Sequence, residues 1–171
     1  MSEIAARAGV VASVLYDHFP SKRELHIELL QTHAEALIDR ATRTITATSP
    51  KDLLRAACEA YFSFVEDDPY AWRLLFRDPP SDPEIAAVHQ RIERGATQAI
   101  ASLAATVRPS EQLNPNIPRE TVDMMVAEAV RSVVNGLAAW WYDHRELRRE
   151  QVVDVAFNIL WRGLGQLATG Q

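Results

Sequence analysis

The chain has 171 residues, 47% of them hydrophobic, and a formal net charge of −5. That size supports one sizeable core or a small head with a larger domain, and no run of 18 apolar residues is present to cross a membrane. The opening MSEIAARAGV lacks the regions of a secretory signal, and the single cysteine, Cys58, cannot form an internal disulfide, so a cytoplasmic protein is expected.

Apolar residues recur at spacings of three and four, and prolines and polar clusters break the pattern, which predicts an all-α chain. The first helix is predicted over Ser2–Ala8 and the second over Ala12–His18. A long helix starts at Ser21, where Ser21-Lys22-Arg23-Glu24 has the form of a capping box. Its apolar stripe is read as Leu25, Leu29, Leu37, Ala41 and Ile45. Lys51–Glu66 follows, then a short helix over Tyr70–Phe76 after Pro69. The next begins near Asp82, with Pro83 at a favoured first position, and runs to about Val107. The last two helices, about Arg119–Asp143 and Arg149–Leu167, carry more apolar surface than one core-facing stripe needs, so burial on two sides is expected.

The first two helices carry the most specific pattern. Two helices crossing at about 90–120° need a tight turn. Gly9 supplies a residue free to take positive φ where the first helix ends. Ala5 and Ala8 are small enough for close approach, and Ile4, Val10, Leu15 and Phe19 are placed to form a miniature core. Ala12, Ser13, Tyr16 and Asp17 then face outward, the face that enters the major groove in a helix-turn-helix. Charge gives this reading no support. Residues 1–31 hold Arg7, Lys22 and Arg23 against Glu3, Asp17, Glu24 and Glu28, a balance of −1. The plainer alternative is that Gly9 ends an ordinary helix and the rest is core packing.

The string Ile4-Ala5, Ala8-Gly9-Val10, Leu15-Tyr16, His18-Phe19, Ser21-Lys22 and Leu25 resembles the DNA-binding signature of the TetR family of bacterial regulators. The resemblance implies an all-α protein with a helix-turn-helix head over residues 1–45 and a ligand-binding and dimerisation body over 46–171. It implies phosphate contacts from Tyr16, His18 and Lys22, the last with the amides opening its helix. Base readout falls to Ala12, Ser13, Val14 and Asp17. Two positions depart from the family's habit. Val11 stands where Ser or Thr usually caps the second helix, and Val14 where Thr is frequent, so an apolar reading surface suited to thymine methyls is expected. The family also has a helix ahead of this motif, whereas this sequence opens on the motif itself, so either that helix is encoded upstream of Met1 or the head lacks it.

For the body, the family implies a four-helix dimer interface built from the last two helices. Val133, Gly136, Leu137 and Trp140 on one, and Val152, Ala156, Ile159, Leu160, Gly163 and Leu164 on the other, are the expected interface residues. Gly136, Gly163 and Gly165 each cost their helix about 1 kcal/mol, which close approach of another helix offsets. Packing within the chain is the competing explanation. A ligand site is expected among Tyr61, Phe64, Val65, Trp72, Phe76, His89, Ile92, Met125 and Glu128, whose aromatic and apolar character suits a small, largely apolar molecule.

Catalytic and metal motifs are missing. There is no H-E-x-x-H, no glycine-rich phosphate loop and no G-x-S-x-G, and the five histidines are scattered. The expectation is therefore a non-enzymatic, cofactor-free and metal-free repressor that binds palindromic operator DNA as a homodimer and is released by a small-molecule effector. A helical ligand-binding or interaction module that no longer binds DNA is the second reading. A cofactor-free helical enzyme is a distant third.

Overall fold

The computed structural model describes residues 1–44, 49–78, 80–107 and 114–169, and their side chains except at 44, 104, 106–107 and 164–169. The described residues form helices and turns only: α1 Ser2–Ala8, α2 Ala12–His18, α3 Lys22–Thr44, α4 Pro50–Asp67, α5 Pro69–Phe76, α6 Pro83–Val107, α7 Arg119–Tyr142 and α8 Arg149–Thr169. An all-α chain is what the spacing of apolar residues predicts, and each helix lies within a few residues of its expected bounds.

Local chemistry fixes where the helices start. The Ser21 hydroxyl accepts from the Glu24 amide at 3.1 Å. Three later helices share one device, an oxygen-bearing cap followed by proline. Ser49 Oγ accepts from the Asp52 amide at 3.1 Å, with Pro50 in the first turn. Asp68 Oδ1 accepts from the Ala71 amide at 2.9 Å ahead of Pro69. Asp82 Oδ1 accepts from the Glu84 amide at 2.9 Å ahead of Pro83. Each oxygen satisfies an amide that has no partner inside its helix, and each proline occupies a place where no amide hydrogen is needed.

Helix α3 leads from the head into the body, where it packs on α4, α5 and α6. Helix α4 lies against α8, α6 against α7, and α7 against α8. Between them sits one core, in which Leu30, Phe62, Val65, Trp72, Leu75, Trp141 and Val153 are fully buried. Trp141 remains compatible with that burial because its indole N–H donates to the Leu147 carbonyl at 2.9 Å.

Two sequence expectations change here. The buried stripe of α3 is Leu30 and Ala34 flanked by half-buried Ile27, Leu37 and Ala41, while Leu29 is exposed. With Leu29 and Leu30 adjacent, two stripes about 100° apart fit the same sequence, and packing against α4 and α6 selects one. Ile45, assigned to that stripe, lies outside the described residues. Helices α7 and α8 are buried on one side only within the chain, and the second apolar face of each is exposed, with Met125, Trp140, Val155 and Ile159 on it.

Candidate functional site

In the head, Gly9 ends α1 at φ 71° and ψ 22°, in the left-handed region, and the Val10 amide returns to the Ala5 carbonyl at 3.0 Å. This is the αL turn that lets α2 leave at an angle. Ala5 is the only side chain of α1 and α2 that is buried. Ile4, Leu15 and Phe19 are half-buried, and Val10 is exposed, as is Ala8, so the miniature core is thinner than the pattern suggests. Val11 holds a capping backbone, φ −77° and ψ 147°, without offering a side-chain acceptor.

No residue of α2 is buried, so its surface is free of core duties. Ser13, Val14, Tyr16, Asp17 and His18 are exposed and Ala12 is half-buried. Val11 and Val14 make this surface apolar, at 67% and 42% exposure. Lys22, at the first turn of α3, is exposed. Among the described residues 1–31 it is the one lysine or arginine outside an ion pair, since Arg7 pairs with Glu3 at 3.2 Å and Arg23 with Asp82 at 2.8 Å.

In the body, the expected ligand residues divide. Phe64 and Val65 are buried in the core. Tyr61, Trp72 and Phe76 meet: Trp72 Nε1 donates to Tyr61 Oη at 2.9 Å, and the rings of Tyr61 and Phe76 lie 6.1 Å apart, edge to face. Tyr61 in turn donates to Asn135 Oδ1, and burial pushes the Tyr61 phenol well above its ordinary pKa. Trp72 is held from its other side by stacking on Tyr142 at 5.7 Å. His89 and Ile92 are half-buried on α6. His89 Nε2 donates to the Leu75 carbonyl, which can only accept, and Nδ1 lies 3.8 Å from Glu93. Glu128 is exposed but bound to Arg131 at 2.6 Å, and those hydrogen bonds hold its carboxyl below the usual range. Met125 is 59% exposed, so its side chain faces away from this group.

Glu93 therefore belongs with the group as its place beside His89 and Ile92 suggests, and so do Asn135, Arg131 and Thr97, which the site expectation omits. Arg131 reaches Glu93 at 3.5 Å, and Thr97 Oγ1 donates to Glu128 Oε2 at 3.4 Å. Their spacing carries the signal. Glu128, Arg131 and Asn135 interrupt an apolar α7 at intervals of three and four, and His89, Glu93 and Thr97 interrupt α6 at intervals of four. Two polar stripes facing each other between α6 and α7 make a hydrogen-bonded seam of donors and acceptors, bordered by Tyr61, Phe76 and Ile92.

On the outer face, Gly136, Trp140, Ile159 and Gly163 are exposed, and Val133 and Leu137 are half-buried. Val152, Ala156 and Leu160 are buried by the chain itself, which assigns them to its own core. Val155, half exposed and absent from the expected set, takes their place on the outer face. Leu164 lies outside the described side chains. A Cβ added at Gly136 or Gly163 would meet nothing within 4 Å, so packing within the chain gives no reason for either glycine.

Three kinds of similarity bear on these surfaces. Residues 1–29 match the family model "Bacterial regulatory proteins, tetR family", and residues 50–163 match "Tetracyclin repressor-like, C-terminal domain". The chain is 31% identical over 169 residues to the HTH-type transcriptional activator FasR of Mycolicibacterium smegmatis, covering 98% of this chain and 74% of that one. Among solved structures, it is similar to a TetR-like transcriptional regulator from Rhodococcus sp. RHA1, with a TM-score of 0.73, 21% identity, and 95% and 82% of the two chains covered. It is also similar to the TetR family transcriptional regulator PfmR of Thermus thermophilus, with a TM-score of 0.72, 20% identity, and 95% and 87% covered.

Proposed function

Because the chain belongs to the TetR family of bacterial transcriptional regulators, we propose that it binds palindromic operator DNA as a homodimer and that a small, largely apolar effector releases it. The observation that carries the DNA reading is α2, a helix with no buried side chain, presented by a left-handed glycine turn. Ser13, Val14 and Asp17, with Ala12 at their edge, read bases, mostly by apolar contact with thymine methyls. Tyr16, His18 and Lys22 bind phosphates. Dimerisation through α7 and α8 explains why Trp140, Val155 and Ile159 are exposed and why Gly136 and Gly163 lack a neighbour. The seam of Tyr61, Asn135, Arg131 and Glu93, with Trp72 and Phe76 beside it, receives the effector. No helix of the described residues is long and apolar enough to cross a membrane, and a cytoplasmic regulator without enzymatic activity fits the family.

Selection of duplexes from a random pool by the full chain, followed by titration of the winners, tests the reading. The expected product is an inverted repeat with half-site centres about 10 base pairs, or a multiple of a helical turn, apart. Retention of no sequence above background overturns it. The similarity to an activator favours a second reading of the outcome, in which the bound dimer raises transcription instead of blocking it. A reporter carrying the selected site separates the two signs.

A further inference from the structure

Arg23 is one residue from Lys22, yet it turns away from the head. Its Nε donates to Asp82 Oδ2 at 2.8 Å, and Nη1 lies 3.1 Å from Glu84 Oε1. Asp82 is already the cap of α6, because its other oxygen, Oδ1, accepts from the amides of Glu84 at 2.9 Å and Ile85 at 3.4 Å. One carboxylate thus joins the first turn of α6 to the first turn of α3. Helix α6 goes on to carry His89, Ile92 and Glu93 at the seam, and α3 carries the head.

Two further facts give this junction weight. The head buries only Ala5 within α1 and α2, so its own packing does little to fix its tilt, while the first turn of α3 that carries it is tied to α6 through Arg23. The pair is also electrostatically unhelpful to a DNA binder, since it neutralises a cation beside the expected phosphate clamp and places two carboxylates there. Its role is therefore not attraction of DNA.

We propose, on the DNA-binding reading above, that Arg23, Asp82 and Glu84 are positioning residues that fix the angle of the head on the body. The head meets DNA preorganised while the pair holds. The pair is exposed, so it adds little to stability; its effect is on geometry.

Asp82→Asn separates this role from a plain surface contact. Asparagine caps a helix as well as aspartate, so the α6 start is kept while the ion pair to Asp82 is lost. A surface contact alone predicts tighter DNA binding by Asp82→Asn, because Arg23 keeps only Glu84 as its partner and a negative charge is removed. Positioning predicts the reverse, a weakening of about three- to fivefold per head on a selected duplex. Arg23→Gln should weaken binding and Arg23→Lys should restore most of it. A second arm needs no DNA. Spin labels on Arg7→Cys in the head and Arg94→Cys on α6 report the head–body distance within one chain, with Cys58 buried and unlabelled. The distance distribution should be narrow with Arg23 and Asp82 intact and broaden in Asp82→Asn. An unchanged distribution, or tighter DNA binding by Asp82→Asn, overturns the proposal. If the unmodified chain selects no duplex, the DNA reading fails and the distance arm still decides whether the pair positions the head.

Discussion

At the scale of the residue, Val11 is the most informative departure. Its backbone already has the geometry of a cap, and it lacks only the oxygen. Val11→Ser should therefore raise the thermal stability of the head by about 1 kcal/mol, read as increased protection of the α2 amides in hydrogen exchange. Sequence made this legible because the cap is a local, one-residue rule. Tyr61 is the opposite case. Its partners Trp72 and Asn135 are 11 and 74 residues away, so no local pattern pairs them. Tyr61→Phe leaves a buried indole N–H and an amide oxygen without this partner, at a cost of about 1–3 kcal/mol in chemical denaturation. Titration adds a third case. Burial, then the nearby Lys22, lowers the pKa of His26 from 6.5. The folded chain thus resists protonation that the unfolded chain accepts. Stability should be undiminished above about pH 6.5 and fall as pH drops through 6.5 toward the folded pKa. His26→Gln should flatten that part of a melting-temperature profile.

At the scale of the element, helix existence and several bounds were readable because those starts are written in adjacent residues, as in Ser49-Pro50, Asp68-Pro69 and Asp82-Pro83. Which face of a helix turns inward was not. In α3 the choice between Leu29 and Leu30 is made by neighbours distant in sequence, and in α8 the same holds for Val152, Ala156 and Leu160 against Val155 and Ile159. Apolar character alone cannot tell a face covered by its own chain from one covered by a second copy. The distinction yields a prediction. Ile159→Lys should leave the fold intact by circular dichroism yet shift the proposed dimer to monomer in sedimentation. Ala156→Leu should instead destabilise the folded chain by about 1–3 kcal/mol, because it overfills a fully buried position.

At the scale of the whole molecule, charge was legible from the start and remains instructive. A chain at −5 whose head offers Lys22 as its free cation cannot rely on bulk attraction to phosphates. A dimer using Lys22 twice should show a shallow salt dependence, a slope of about −2 in log affinity against log salt. Lys22→Ala should remove most of that slope while leaving the selected sequence unchanged. A steep slope would mean that cations outside the head reach the DNA. The buried thiol is a whole-molecule reporter as well. Burial pushes Cys58 up to about 12, so it should stay unmodified by a thiol reagent at neutral pH until the body unfolds.

The valines of the proposed reading surface have a thermal consequence. Val11 and Val14 stand in water whenever the head is off DNA. In the proposed complex, covering them against thymine methyls removes apolar surface from water, which carries a negative heat-capacity change. The enthalpy of binding should then grow more favourable on warming, and calorimetry over a range of temperatures should trace a falling line. Val14→Thr should make that line shallower, because a hydroxyl replaces part of the apolar surface.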